Sequence, residues 1–155
     1  MELSAVIFLM MLFLGLALPN FSNLVESSPM IAAKTLGTMI RQLKIESISK
    51  GKNRILQLHP EEKKYDLFIQ EGNQLQRHPK YQQSQFFSTD VSIVALSTGN
   101  NNEISLYSSD PISIRISSEG FVDIFTITFQ QLEERVSLQI VNILGKINIT
   151  KNHEE

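Results

Sequence analysis

Glu2 is the residue whose type and position most clearly suggest chemistry. It is followed by residues 3–18, which carry no charge and only one hydroxyl group, on Ser4. A charged side chain deep in such a segment costs about 2.5 to 3.5 kcal/mol on membrane-insertion scales, so it is a functional hypothesis by default. The sequence therefore predicts a positively charged partner for the Glu2 carboxylate.

The other residues that could bind a metal or take part in catalysis are scattered. His59, His78 and His153 lack the spacing of a metal site, and we predict that they lie on the surface. Asp110 and Asp123 could contribute to a calcium site, but no Asp-x-Asp loop accompanies them, and Asp123 is expected at a strand end. No serine lies in a Gly-x-Ser-x-Gly turn. We predict no catalytic residue, no cofactor and no metal ion.

The apolar segment after Glu2 has nearly the length of a membrane helix. Its residues would extend about 24 Å as a helix, slightly less than a typical bilayer core requires. A secretory signal peptide opens with Lys or Arg, whereas the only charge ahead of this segment is the Glu2 carboxylate. These flanks favour a membrane helix. Cleavage near residues 15–17, Gly-Leu-Ala, is the alternative, and it would make the segment a signal peptide.

Composition predicts one domain after that segment and excludes several functions. The chain has 155 residues, and those that follow Pro19 are enough to bury a core. The formal net charge is −2, whereas a phosphate-binding face needs a basic excess, so nucleic acid is excluded as a main partner. The absence of cysteine excludes disulfides, cysteine metal sites and cysteine nucleophiles.

A second helix is predicted at residues 30–50, where apolar residues recur at helical spacing. Ser27 or Ser28 is expected to cap it, and Pro29 suits its first turn because a missing N–H is harmless there. Gly51 is expected to end it. The apolar stripe consists of Ala32, Leu36, Met39, Ile40 and Leu43.

Beyond Gly51 the apolar residues alternate with polar ones, which is typical of half-buried antiparallel strands. Segments rich in Gly, Asn and Pro separate them as turns. Strands are predicted at residues 55–58, 65–69, 91–96, 104–107, 112–116, 121–129, 136–141 and 147–149. The predicted fold class is α+β, with an antiparallel meander in two small sheets packed on the helix.

Two segments depart from this alternation. Residues 70–89 are rich in glutamine and poor in apolar side chains, so we predict a long surface loop, a kind of segment that often carries function. Residues 151–155 form a charged tail that is expected to fray.

The N-terminal pattern resembles that of the type IV pilins and the type II secretion pseudopilins. Mature chains of that family carry a glutamate near their start and an apolar helix that ends in a Leu-Pro or Ile-Pro step. Glu2-Leu3, the run to Leu18-Pro19 and the following Asn20 match this pattern in order and spacing. The pattern also places a few residues and a basic leader ending in Gly ahead of the first residue, so we expect the natural chain to begin upstream.

Three later segments resemble the H-type minor pseudopilin and related minor pilins. Residues 45–51 resemble the segment that follows the helix in that type. Residues 114–120 resemble its alternating strand before a Gly turn, although Ile116 and Ser118 replace the Phe and Pro that the family favours. Residues 136–147 resemble its final strand pair. The resemblance implies a long N-terminal helix, with a membrane half and an amphipathic half, packed on an antiparallel β-sheet head.

The resemblance also implies a structural subunit and not an enzyme. Glu2 would pair with the N-terminal amine of an adjacent subunit during assembly. The helix would cross the inner membrane once, with the head in the periplasm, and would later bundle with other pseudopilins in a periplasmic filament. Further implied partners are the assembly platform of the inner membrane and the exported protein. The residues assigned to the membrane and filament core are Leu3, Val6, Ile7, Leu9, Met10, Phe13, Leu14, Gly15, Leu18 and Pro19.

Four regions follow from this comparison. They are a transmembrane and filament-core helix at residues 1–19, its amphipathic continuation at 20–51, a β-rich head at 52–150 and the tail at 151–155. The expected function is that of a minor pseudopilin at the tip or in the initiation of the type II secretion pseudopilus. The alternatives are a minor pilin of a type IV or competence pilus, and a membrane-anchored periplasmic β-domain that binds a ligand through residues 70–89.

Overall fold

The computed structural model describes residues 27–99, 102–104, 106 and 110–152. Within this part of the chain one helix precedes ten strands. Helix α1 spans Ser28–Lys50. The strands are β1 (Asn53–His59), β2 (Lys64–Glu71), β3 (Gln74–Arg77), β4 (Gln85–Phe86), β5 (Ser92–Thr98), β6 (Asn102–Glu103), β7 (Ile112–Ile116), β8 (Phe125–Gln131), β9 (Glu134–Ile140) and β10 (Ile147–Asn152).

Helix α1 begins and ends close to the predicted positions. Pro29 lies in its first turn, and Gly51 ends it in the left-handed conformation, with a φ of 60° and its N–H bonded to the Ser47 carbonyl. The expected side-chain cap is absent. Ser27 occupies the cap position, but its Oγ donates to Glu134 Oε1 at 2.5 Å and not to the helix backbone.

The predicted apolar stripe of α1 faces the core. Ala32, Leu36, Ile40 and Leu43 are buried, and Met39 packs against them while partly exposed. The buried face is wider and longer than predicted because small residues extend it beyond the stripe. These additional buried residues are Ala33, Gly37 and Ser47.

The strands form two antiparallel sheets, as predicted. The first sheet has the order β3-β2-β1-β7, with β4 also paired to β2, and the second has the order β10-β9-β8-β5-β6. The meander prediction holds only within β1–β3 and within β8–β10. Elsewhere the chain passes between the sheets before β5, before β7 and again before β8, so β7 pairs with β1 and β5 pairs with β8.

The strand predicted at residues 121–129 is confirmed only from Phe125 onward, and the prediction at 104–107 was wrong. Residues 121–124 precede β8 because they turn across the end of β7, where Ser117 N–H bonds to the Phe121 carbonyl and Val122 N–H to the Ile143 carbonyl. The segment predicted at 104–107 is not a strand in its described residues. There β6 ends at Glu103, and Ile104 N–H bonds to the Leu96 carbonyl.

The prediction of a long surface loop at residues 70–89 was also wrong. This segment contains β3 and β4, and two of its side chains, His78 and Phe87, are buried. The Phe87 ring packs 5.1 Å from that of Tyr65 and 5.2 Å from that of Phe129, measured between centroids. Burial of these groups pins the segment to the core despite its polar composition. The surface prediction for His78 fails with it.

The core lies between α1 and the sheets. The helix packs chiefly against β8 and β9, and more lightly against β1, β7 and β10. The fully buried side chains that fill this space come from both sheets, so the two sheets and the helix share one core. The largest of them are Phe125, Phe129, Leu56, Leu58, Leu67, Leu96, Ile116 and Ile127.

Candidate interaction site

The residues that the sequence assigns to assembly all precede the described part of the chain. They are Glu2, Leu3, Val6, Ile7, Leu9, Met10, Phe13, Leu14, Gly15, Leu18 and Pro19. The structure therefore does not test their arrangement, and their roles stay predictions. In the described residues no helix combines the length and the apolar character needed to cross a membrane.

A cleft of about 420 Å³ opens between the edges of the two sheets. It is lined by β7, by the end of β5, by the connection that precedes β8, and by Ile143. Its lining is mainly apolar, with polar groups interspersed. The apolar residues are Leu96, Ile112, Ile114, Phe121, Val122, Ile124, Phe125 and Ile143, and the polar ones are Thr98, Ser113, Arg115, Ser117 and Asp123.

Hydrogen bonds to backbone groups hold the walls of the cleft together. The Asp123 carboxylate accepts a bond from Arg115 N–H at 2.8 Å, and Asp123 N–H donates to the Arg115 carbonyl at 3.1 Å. Gly99 N–H donates to the Ile124 carbonyl at 2.9 Å, and a Cβ at Gly99 would lie only 3.0 Å from the Ile124 Cβ. Asp123 therefore fixes the connection between β7 and β8.

A second surface lies along one side of α1, next to its buried stripe. Ile31, Thr35, Thr38 and Met39 line a shallow groove with neighbouring polar residues, and Ile31 is 50% exposed. The groove adjoins a hollow in which Phe86, 70% exposed, lies beside α1. The apolar side chains here lack a partner in the described chain that would cover them fully, so this face is available to another helix.

Polar contacts attach residues 77–84 to the helix and to the first sheet. His78, only 3% exposed, lies with Nε2 2.7 Å from Glu46 Oε2. Tyr81 Oη donates to Gln42 Oε1 at 3.5 Å, one turn earlier on α1. These contacts place the segment against the C-terminal half of the helix.

Asp66 gathers a second set of contacts on β2. Its Oδ1 accepts a bond from Ser84 Oγ at 2.7 Å and lies 3.3 Å from Arg77 Nη2, while its Oδ2 lies 3.1 Å from His59 Nε2. Asp66 is 6% exposed, and a buried carboxylate requires such partners. These contacts join β1, β2 and residues 77–84, which indicates a structural role.

The surroundings of the helix end shift two pKa values. Burial raises the pKa of Glu46, but hydrogen bonds from His78 and Gln42 and the charges of His78 and Lys50 outweigh it and lower the pKa overall. Burial lowers the pKa of Arg54, although the charges of Glu46 and Glu71 oppose this shift.

Arg54 itself is fully buried. Its Nη1 makes only long bonds, at 3.5 Å to the Lys52 carbonyl and 3.4 Å to the Asn53 carbonyl. Its Nε and Nη2 have no hydrogen-bond partner among the described residues. This buried guanidinium was not predicted from the sequence, because the alternation of apolar and polar residues in β1 does not distinguish Arg54 from a solvent-facing arginine.

The described residues contain no group of three His, Asp or Glu side chains arranged to hold a metal ion. The arrangement can bind apolar side chains in the cleft and on the helix face, which is the chemistry of protein contact. The cleft residues were not predicted as a site, because they come from four separate parts of the chain. For residues 70–89, the adjacent Phe86 and Phe87 were the signal that the segment returns to the core.

Solved structures of a minor pseudopilin share this fold. The structure of the minor pseudopilin EpsH from the type 2 secretion system of Vibrio cholerae matches with a TM-score of 0.65 at 14% sequence identity, covering 83% of this chain and 99% of that chain. A crystal structure of the same minor pseudopilin matches with a TM-score of 0.63 at 12% identity, covering 79% and 95%. No family model matches the chain, and no curated protein matches it. The α+β pseudopilin fold predicted from the sequence resemblance is confirmed, with the membrane half of the helix outside the described residues.

Proposed function

We propose that this chain is a minor pseudopilin, a structural subunit of the type II secretion pseudopilus that acts at the tip or in initiation and supports protein export. The observation that carries the proposal is the fold, shared with EpsH over nearly the whole of that chain. It agrees with the N-terminal pattern of Glu2, apolar helix and Pro19, which is independent of the fold of the head. The protein is then a building block and not an enzyme.

The apolar segment gives this subunit two environments. In the inner membrane a helix satisfies all its backbone groups internally, so it is stable in lipid. In the filament the same side chains pack against the helices of other pseudopilins, so leaving the membrane does not expose them to water. The Glu2 carboxylate pairs with the N-terminal amine of a neighbour, and an unpaired buried carboxylate penalises a subunit in the wrong register.

The exposed face of α1 continues this packing into the periplasm. The buried face of α1 is occupied by its own head, so the exposed side next to it, with Ile31, Thr35, Thr38 and the edge of Met39, is left for a neighbouring subunit. The alternative of a ligand-binding β-domain relied on a long surface loop at residues 70–89. The contacts of His78 with Glu46 and of Phe87 with the core argue against that use.

Complementation at the native locus tests the proposal. A deletion strain is supplied with the gene and its upstream DNA, as wild type, Glu2→Ala or Glu119→Ala. Glu119 is an exposed carboxylate of the head and serves as the matched control. We expect Glu2→Ala to abolish export of the secreted proteins, and Glu119→Ala to retain it. Loss of surface pili with export unchanged would instead assign the chain to a pilus.

The mature N-terminus provides a second, independent test. Mass spectrometry of the protein from its native locus should find an N-methylated residue shortly before Glu2. A chain that begins near Leu18 would show removal of a signal peptide and would overturn the filament proposal.

A further inference from the structure

Strand β10 leaves one edge of the second sheet open. Among the described strands it pairs only with β9, and Val141 N–H donates to the Lys146 carbonyl at 2.9 Å where the two strands meet. Bonding alternates along an antiparallel pair, so Asn148 and Thr150 direct their backbone groups to β9. The N–H and C=O groups of Ile147, Ile149 and Lys151 therefore point away from the sheet.

The other described sheet edges are short, covered or bulged. The outer edge of β5 is covered by β6 only at its end, but this strand carries a bulge after Ile93. β6 has two residues and β3 has four. The outer edge of β7 is occupied by Asp123, which bonds both backbone groups of Arg115. By contrast β10 has six residues, an unbroken register with β9 and no proline. Bulges, prolines, short lengths and charged side chains are the usual protections of an edge strand, and of these β10 has only the charge of Lys151 near its end.

Basic side chains flank this edge although the chain as a whole is acidic. Lys146 and Lys151 lie at the two ends of the strand, and Lys151 pairs with Glu134 at 2.9 Å. Helix α1 approaches β10 at Gly37, where an added Cβ would lie 3.5 Å from Ile147. Lys34 and Arg41 lie about one turn to either side of Gly37, so the helix presents them on the side that meets β10.

We propose that the free edge of β10 binds an extended, acidic segment of a partner protein, which adds to the second sheet as a sixth strand. The outward N–H and C=O groups supply the backbone bonds of strand addition. The basic flank selects acidic side chains in the added strand and speeds encounter. The inference rests on the strand edge and its charges, and it stands apart from the filament proposal.

The test uses the full chain in mild detergent and three labelled peptides. One alternates Val or Thr with Glu, the second has Lys in place of Glu, and the third carries Pro at alternate positions. In fluorescence anisotropy we expect the acidic peptide to bind with a Kd below about 1 mM at low salt, and the other two to bind at least about tenfold more weakly. Amide exchange should slow at Ile147, Ile149 and Lys151 and stay unchanged at Asn148 and Thr150.

Variants separate the edge from the rest of the head. Ile149→Pro removes an outward N–H without removing a bond to β9, and we expect binding of the acidic peptide to be lost. Arg41→Glu leaves the strand untouched and should weaken binding several-fold, which keeps the test valid if the proline variant does not fold. Thr150→Ala alters only the solvent face and should bind as wild type.

Several results would overturn the proposal. The first is that the acidic peptide does not bind at about 1 mM. The second is that the acidic and basic peptides bind equally well. The third is that the acidic peptide protects only amides that lie outside β10. Self-association that Ile149→Pro abolishes, without peptide binding, would likewise overturn it and would make a second copy of the chain the occupant of the edge.

Discussion

Helix α1 meets its two sheets through different chemistry. Toward the second sheet the middle of the helix makes apolar contacts, and Gly37 lets it approach Leu138 and Ile147 closely. Toward the first sheet, at the C-terminal half of the helix, polar and charged contacts are added to the core that the helix and both sheets share. There His78 meets Glu46, and Ser47 bonds to backbone carbonyls.

The sequence specifies the contacts on these two sides of the helix in different ways. Apolar burial is non-directional and tolerates many partners, so a stripe at helical spacing is enough to create it. Each contact on the polar side requires a particular partner at a particular distance, supplied by a segment far away in sequence. The apolar side should therefore carry most of the stability, and the polar side should fix where residues 77–84 lie.

The largest expected effect is on the apolar side. Leu138→Ala removes a fully buried side chain opposite Gly37, and we expect it to lower the free energy of unfolding by about 2 to 5 kcal/mol. Urea unfolding of the full chain in mild detergent, followed by circular dichroism, measures it. Leu132→Ala is the matched control, because Leu132 is 88% exposed, and it should change stability by less than about 0.5 kcal/mol. Equal losses in the two variants would contradict an apolar contact at Leu138.

On the polar side, Glu46→Gln removes the charge that faces His78. We expect a loss of about 1 to 3 kcal/mol at pH 5, since hydrogen bonds between charged groups are stronger than neutral ones. The folded pKa of Glu46 lies below its ordinary value of 4.5. The Glu46 contribution is therefore present above pH 4.5 and is lost as the pH falls through the folded pKa.

Urea unfolding at pH 5, 4 and 3 checks the direction of this pH dependence. The difference in the free energy of unfolding between wild type and Glu46→Gln should become smaller toward pH 3. Glu71→Gln is the control, since Glu71 pairs with Lys52 on the exposed surface, and its effect should stay below about 1 kcal/mol. A difference that grows as the pH falls would refute the assigned shift.

The same contrast explains how much the sequence predicted. The stripe of Ala32, Leu36, Ile40 and Leu43 and the alternation of β7 depend on neighbouring residues, so periodicity revealed the helix, most strands and the α+β class. The burial of His78 depends on Glu46, 32 residues earlier, and periodicity contains no information on such a pair. The cleft likewise depends on distant segments, because the chain passes from the second sheet to the first before β7 and back again after it. The assembly residues of the N-terminal segment lie outside this comparison.

A smaller effect is expected at Ser47, a buried hydroxyl at the end of α1. Its Oγ donates to the Lys52 carbonyl at 2.7 Å and lies 3.3 Å from the Ile116 carbonyl. Ser47→Ala should lower the free energy of unfolding by about 0.5 to 1.5 kcal/mol, measured by the same urea unfolding. The exposed Ser49, which bonds the Glu46 carbonyl at 3.3 Å, provides the control, and Ser49→Ala should have no measurable effect. A neutral Ser47→Ala would show that these bonds add nothing beyond packing.

The smallest effect is expected at Arg54, the most deeply buried charge of the polar side. Its guanidinium has two nitrogens without a partner among the described residues, and no carboxylate is paired with it there. The cost of burying it therefore offsets what its two long bonds contribute. Arg54→Met keeps the aliphatic stem and removes the charge, so the free energy of unfolding should stay within about 1 kcal/mol of wild type. Arg54→Ala also removes the stem and should cost more. If Arg54→Met instead lost as much as Leu138→Ala, the attraction of Glu46 and Glu71 for the guanidinium would be a main source of stability, and the contrast between the two sides of the helix would fail.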